Sequence, residues 1–403
     1  MPAHGSRLPK SEATRLRLLD CAVAEIARSG PDRVGFTAVA RLAGMSTGAL
    51  YARYENADEL LVDVWLQKCL PEVRRVVDDL TSAVTGESET GCLAVATRIG
   101  SLDPVLLATT RLLVAARRND TLWEVVDPSF RETVDRAVGR HPGFPFVLAH
   151  VFGYVLGVAG SGLTHLDWVG PLTMAARAVP HAKESPVDLR TVAARPETPS
   201  DPMGDEVDNR LFDALSDVIG KVGVDRATVS RIARRAGVNP ATIYMRYEDK
   251  DALVLRVLSI ISEMGVSRNR ELVDAFGESQ SLDGGVAMFR GNATDEYQGI
   301  RRLRVETIMA AGCHDELRDA VRRTYVEAAT ADAAQVGVAS VANDPRALAF
   351  ALFMRFAFFG HALLREYGYL PADDPCVESV LDGMFREYAA AVSGYAARIA
   401  EKK

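Results

Sequence analysis

The sequence predicts an all-α protein built from two similar halves in tandem, and three observations predict it. Apolar residues recur at three- and four-residue spacing through nearly the whole chain, which places them on one face of a helix. Strand signals, meaning period-two alternation bounded by turn residues, are scarce. The chain also repeats itself: Arg17 to Leu60 aligns without a gap on Arg210 to Leu253, an offset of 193 residues. Identities in that alignment include Leu18/Leu211, Ile26/Ile219, Gly30/Gly223, Asp32/Asp225, Arg33/Arg226, Gly44/Gly237, Tyr51/Tyr244 and Tyr54/Tyr247. A repeat of this length means that each copy is one structural unit.

Within each copy the elements follow in order. Leu18, Ala22 and Ile26, with Leu19 and Val23, form one buried stripe on the first helix, repeated by Leu211, Leu215 and Ile219. Gly30 and Gly223 end that helix. A short helix follows (Phe36 to Leu42; Val229 to Arg235), then a tight turn at Gly44 or Gly237, a second short helix (Ser46 to Arg53; Asn239 to Arg246) and a long helix. This succession is a helix-turn-helix. Its turn needs a left-handed backbone, which costs a residue with a Cβ about 1 kcal/mol or more, so glycine stands there. Ser46 and Asn239 lie two residues further on, where a side-chain oxygen can cap the next helix.

Behind the first module, Phe144 to Leu163 is the most apolar stretch, but it contains His150 and many small residues and so reads as a buried helix, not a membrane span. Pro180 to Asp208 carries Pro180, Pro186, Pro196, Pro199 and Pro202 among polar residues, which marks a linker. About 25 flexible residues span roughly 25 to 30 Å, enough for the halves to lie side by side. The chain then divides into a helix-turn-helix domain at 11–70, a helical regulatory domain at 71–182, a Pro-rich linker at 183–205, a second helix-turn-helix domain at 206–264, and a regulatory and dimerisation domain at 265–403.

Composition bounds the function. The chain has 403 residues, 48% of them apolar and 25% charged, the profile of a soluble multidomain protein. The net charge of −7 hides its distribution: residues 6 to 54 hold eight Arg/Lys against four Asp/Glu, and residues 208 to 247 hold seven against four. Those segments are +4 and +3 and leave −14 elsewhere, as expected of small modules that touch phosphates on a larger acidic body. Five cysteines with no C-x-x-C pair read as reduced core residues, with Cys313 beside His314 the candidate for a reactive thiol. The first twenty residues have no apolar segment of the secretory type, so the expected location is cytoplasmic. No phosphate loop, dinucleotide fingerprint, zinc motif or nucleophile elbow occurs, so no enzyme activity, cofactor or metal is expected.

The run Ala43-Gly44-Met45-Ser46-Thr47-Gly48-Ala49-Leu50-Tyr51, followed by Tyr54, Asn56, Asp58 and Leu60, resembles the DNA-binding signature of the tetracycline-repressor (TetR) family. Ala236-Gly237-Val238-Asn239-Pro240-Ala241-Thr242-Ile243-Tyr244, with Tyr247, Lys250, Asp251 and Leu253, resembles it again. The resemblance implies that the second short helix of each module enters the major groove of operator DNA and that the helices behind it bind a small apolar effector. It also implies that Ala347 to Leu364, rich in Phe, and Asp374 to Ala400 pair as a dimerisation surface. Phe144 to Leu163, with Gly153 and Gly157 four apart, packs closely against them in this reading, and the first half's last helix is truncated by the linker. The two halves then pair within one chain, with further homo-oligomers open.

Site residues carry over position by position. A family Thr that caps the first short helix and reaches a phosphate is matched by Thr228 but replaced by Gly35; the Lys opening the long helix is Lys250 in one copy and Ala57 in the other. The signature's Ser is Ser46 in the first copy and Asn239 in the second, and Tyr51 and Tyr244 stand at a phosphate-contacting position that could equally be half-buried core. Thr47, Ala49 and Arg53 in one copy, and Pro240, Thr242 and Arg246 in the other, face the groove, the arginines reading bases or holding phosphates. The resemblance implies an effector pocket within each helical bundle, lined by such residues as Trp65, Trp123, Phe130, Phe289 or Met309; by their spacing these read as plain core, and no effector-binding residue is assigned. The rival to a DNA-binding repressor is a regulator that acts through protein contacts, and Gly35 and Ala57 are its sequence support.

Overall fold

A computed structural model describes residues 10–88, 90–188, 202–276, 282–335 and 344–400, and among these every regular element is helical. The first half runs α1 (Lys10–Ser29), α2 (Phe36–Ala43), α3 (Gly48–Tyr51), α4 (Ala57–Val64), α5 (Leu70–Val84), α6 (Thr90–Gly100), α7 (Pro104–Ala116), α8 (Asp120–Val138), α9 (Phe144–Ser161) and α10 (Val169–Ala178). The second runs α11 (Glu206–Val222), α12 (Val229–Ala236), α13 (Pro240–Tyr244), α14 (Lys250–Phe276), α15 (Leu282–Ala293), α16 (Gln298–Ala311), α17 (Asp315–Gln335), α18 (Pro345–Glu366) and α19 (Val377–Ala400). The halves match element for element, except that α14 corresponds to α4 and α5 together.

That exception has a local cause. The expected long helix of the first half is widened by a π-helical turn at Trp65–Cys69. Pro71 stands at the start of α5, and a proline has no N–H to give an i→i−4 bond, so the turn before it opens. The second short helices are also briefer than the spacing suggests. Beyond Tyr51 the chain tightens, the Arg53 amide donating to the Leu50 carbonyl at 2.8 Å, a bond of the three-residue type.

The stripes predicted for the first helices are core: Leu18, Leu19, Ala22 and Ile26 are fully buried, as are Leu211, Leu215 and Ile219. α1 packs on α7, and α11 on α16, so each module's first helix rests on its own bundle. Three of the five cysteines are buried, and burial pushes the Cys69, Cys92 and Cys376 thiols up to about 12, 11 and 11. Burial also raises the Cys313 thiol, which makes it a poorer nucleophile.

α9 and α18 make the most extensive helix contact among the described residues. Both are long and apolar enough to cross a membrane, but all of α9 is buried inside the fold. Glycine makes this crossing close. A Cβ at Gly153 or Gly157 would strike Phe356, and one at Gly360 would strike the Ala149 carbonyl. Trp168 lies between Tyr154 and Phe356 in a stack with centroids 4.4 and 5.5 Å apart. α10 packs beside them on α19, ten residues long against twenty-four. It is short, as the linker prolines suggest, and it ends before Pro180. Residues 189–201 of the linker lie outside the described residues.

Candidate nucleic-acid interface

The two turns have one geometry. Gly44 has φ 61° and ψ 37°, and Gly237 has φ 66° and ψ 32°. The amide after each glycine reaches back five residues, Met45 to the Ala40 carbonyl at 2.9 Å and Val238 to the Ala233 carbonyl at 3.0 Å, which closes a Schellman motif. A Cβ at either glycine would meet nothing within 4 Å, so glycine is required by backbone conformation and not by space.

Each second short helix is pinned by one buried side chain, Leu50 or Ile243. The rest of it turns outward. Ser46, Asn239 and Pro240 are exposed, and Thr47, Ala49 and Thr242 are half-buried. Tyr51 and Tyr244 are 66% and 59% exposed, a degree at odds with the half-buried core reading and unusual for a large aromatic without a partner surface. Tyr51 rests edge-on against Phe36, with ring centroids 4.9 Å apart.

The modules differ in how they are capped. Thr228 accepts a hydrogen bond from the Arg231 amide at the start of α12, whereas Gly35 offers no side-chain cap to α2. Asn239 accepts from the Ala241 amide at 2.9 Å, but the expected Ser46 cap is not formed: the cap position of α3 is Thr47, already helical, with no side-chain cap bond. Pro240 accounts for the difference. A proline drives the residue before it into extended backbone, and Asn239 at ψ 141° thereby holds its amide oxygen over the helix start.

The three cationic positions are engaged with their own modules. Arg53 donates to the Ser11 carbonyl at 3.3 Å, and Arg246 lies 3.0 Å from Asp205 and 3.1 Å from Asp208, so both guanidinium groups point at the beginning of the module's first helix. Lys250 donates to the Val224 carbonyl at 2.9 Å. Ala57 follows Asn56, whose side chain caps α4 through the Glu59 amide.

Sequence reasoning missed what holds the modules together. Asp32 and Arg33 are the repeat equivalents of Asp225 and Arg226, and they pair crosswise: Arg33 with Asp225 at 2.6 Å, Arg226 with Asp32 at 3.3 Å. This reciprocity, residue i on j and j on i, is the mark of a two-fold interface, here inside one chain. The hydrogen bond from Arg33, with that from His314, holds the Asp225 carboxyl below its usual range against the opposing effect of burial. Arg118 then joins the halves: it donates to both oxygens of Asp32 and to the fully buried Glu306. Burial pushes the Glu306 carboxyl up, opposed by Arg118 and Arg117.

Symmetry-related positions have diverged around this core. Counted back from the helix ends Ala116 and Ala311, Arg111 on α7 corresponds to Glu306 on α16. Arg111 donates to the Ile26 and Ala27 carbonyls, neutralising the negative end of α1. Glu306 cannot do that for α11. Arg117 from the first half does so instead, donating to the Gly220 carbonyl at 2.6 Å while it holds Glu306 at 3.0 Å. Asp32/Asp225 and Arg33/Arg226 are visible as repeat identities, but their cross-pairing has no signal in a linear sequence.

The geometry defines a class first: a protein with two helix-turn-helix modules, joined by reciprocal ion pairs in one chain. The model of the family described as bacterial regulatory proteins, tetR family, matches residues 18–64 and again 211–257. The chain is 36% identical over 74 residues to the HTH-type transcriptional regulator AqdR of Rhodococcus erythropolis, covering 18% of this chain and 36% of that protein. It is 32% identical over 76 residues to the probable acrEF/envCD operon repressor of Escherichia coli K12, covering 18% of this chain and 34% of that relative. The chain thus spans about a third of the length of the curated relatives it matches. The chain carries the DNA-binding domain of the tetR family twice in tandem, and its described residues hold helices and no strands.

Proposed function

We propose that the protein is a sequence-specific repressor of transcription, released by a small-molecule effector, in which one chain takes the part of a dimer and binds an operator with two unequal half-sites. The observation that carries this reading is the pair of outward faces: Tyr51 and Tyr244 are exposed alike, while their neighbours differ, Thr47 against Pro240 and Ala49 against Thr242. Two unlike recognition helices on one duplex read two unlike half-sites about a helical turn apart. The reciprocal pairs of Asp32, Arg33, Asp225 and Arg226 support a fixed spacing between them. Relatives that share these segments are named as a transcriptional regulator and an operon repressor. As a cytoplasmic regulator it needs no metal or cofactor.

In this reading Thr228, Tyr51 and Tyr244 reach phosphates, with Ser46 and Asn239 at the helix starts. Arg53, Arg246 and Lys250 exchange their intramodular partners for DNA phosphates on binding. The test is selection of duplexes from a random pool by the full chain, with the mass of the complex measured in solution. The expected result is a two-part, non-palindromic site occupied by one chain, with Tyr244→Phe weakening binding roughly tenfold and affinity falling steeply with salt. A palindrome bound by two chains would overturn the unequal-half-site reading. Absence of enrichment would favour the regulator that acts through protein contacts, a reading that the occupied Arg53, Arg246 and Lys250 support.

A further inference from the structure

A pocket partly open to solvent lies in the second half between α15, α16 and α18. Its walls are apolar, with Phe289, Phe358 and Ala362 among them, but three guanidinium groups also line it: Arg301, Arg304 and Arg365. Their charge is poorly compensated. Arg301 donates to the carbonyls of Asn292 and Thr294, which carry no net charge. Arg365 pairs with Asp295, a carboxylate that is 94% exposed and therefore screened by water. Arg304 lies over the Phe359 ring at 5.8 Å and has no carboxylate partner among the described residues. Burial, and then the like charge of Arg365, lower Arg301 to about 10, against the opposing effect of Glu366 and Asp295.

One further group points to a ligand. His361 lines the cavity, is 7% exposed, and neither of its ring nitrogens has a hydrogen-bond partner among the described residues. A buried polar group without a partner is costly, about 1–3 kcal/mol, unless something supplies the bond. Burial keeps this ring neutral at pH 7, so it can donate one N–H without adding charge.

The first half lacks the set. Counted from Ala116 and Ala311, Arg301 corresponds to Leu106 and Arg304 to Thr109. Counted from the close-approach glycines Gly153 and Gly360, His361 corresponds to Tyr154 and Arg365 to Val158. All four first-half residues are buried.

We propose that this cavity is the effector site, one per chain, and that it takes a small amphipathic organic anion whose acidic head lies among Arg301, Arg304 and Arg365 with its apolar body against Phe289 and Phe358. The inference rests on the reading of the protein as an effector-released repressor. It names the ligand class and confines it to one half. The same wall helix, α16, carries Glu306, which holds Arg117 and Arg118 at the junction of the two modules, so an anion bound here acts on the element that sets their spacing.

The test is fluorescence titration of the full chain with 1-anilinonaphthalene-8-sulfonate and with N-phenyl-1-naphthylamine, which has the same aromatic body without the charge. The expected result is one sulfonate probe per chain, bound at least about tenfold tighter than the neutral probe. Arg304→Gln and Arg365→Gln should each weaken the anion roughly tenfold and leave the neutral probe unchanged. On the unaltered chain, sodium benzoate should displace the sulfonate probe and benzamide should not, a comparison that holds even if a variant fails to fold. Equal affinity for the two probes, two sites per chain, or equal displacement by benzamide would overturn the proposal. Duplex binding by a chain without anion selectivity sinks this site alone; anion selectivity in a chain that binds no duplex upholds the site and sinks the repressor reading.

Discussion

The two helix-turn-helix modules have stayed alike where the backbone demands it, while the two bundles behind them have drifted apart where only side chains are at stake. Gly44 and Gly237 share a left-handed turn, and Leu50 and Ile243 share the single anchoring position. Across the bundles, Arg111 stands where the second half has Glu306, and Leu106 where it has Arg301. A homodimer cannot do this, because every substitution appears on both sides of its two-fold axis. A fused chain can place a cation on one side and its partner carboxylate on the other, and it can keep a charged cavity in one half and fill the other.

The largest expected effect comes from breaking the junction on its charged side. Arg118 and Cys313 are counterparts: a Cβ at Gly223 would lie 2.9 Å from Arg118, and one at Gly30 would lie 3.7 Å from the Cys313 sulfur. Arg118→Ala should cost about 3–5 kcal/mol, because it removes a partner from the buried Glu306 and from Asp32. Cys313→Ala should cost less than about 1 kcal/mol. Urea unfolding of the two variants measures the difference, and equal losses would mean that the junction is symmetric in energy despite its sequence.

A second test uses pH on the crossing of α9 and α18. His150 and His361 sit there with ring centroids 5.6 Å apart. Burial lowers His150 from 6.5 to about 4, and burial followed by His150 lowers His361 well below 6.5. A histidine held neutral in the fold leaves the unfolded chain to bind the extra proton, so stability is full above pH 6.5 and is lost as pH falls from there towards 4. For His150 the loss reaches on the order of 3 kcal/mol at the acid end. Thermal unfolding between pH 7 and 4.5 reads the slope, and His150→Phe should flatten it; an unchanged slope in that variant would place the acid sensitivity elsewhere.

The smallest effect separates the module caps. Thr228→Ala removes a side-chain cap from α12 and should cost about 1 kcal/mol, whereas Gly35→Ala has no such bond to lose and should cost a few tenths. Hydrogen exchange at the α2 and α12 amides resolves the two, and equal changes would show that the Thr228 bond contributes little.

Much of the site was legible in the linear chain because its causes are local. A turn that needs positive φ calls for glycine, a proline commits the residue before it, and an apolar stripe at helical spacing has to be buried, so the modules and the close approach at Gly153 could be read from spacing, while the groove-facing residues came from the family resemblance. Local reading slipped at Ser46, expected to cap the next helix, where no proline follows to hold the residue extended and the helix starts without a side-chain cap.

By itself the sequence determined that the chain is helical, that it holds two like modules, and that the modules differ at Gly35/Thr228, Ala57/Lys250 and Thr47/Pro240. Tertiary structure alone decided that Arg33 meets Asp225, that Arg117 from one half closes the end of α11 in the other, and that three arginines and an unpartnered histidine share one cavity. The physical reason is range: capping, turns and periodicity act over a few residues, whereas an ion pair or a cavity exists only where distant segments are brought within a few ångströms by packing.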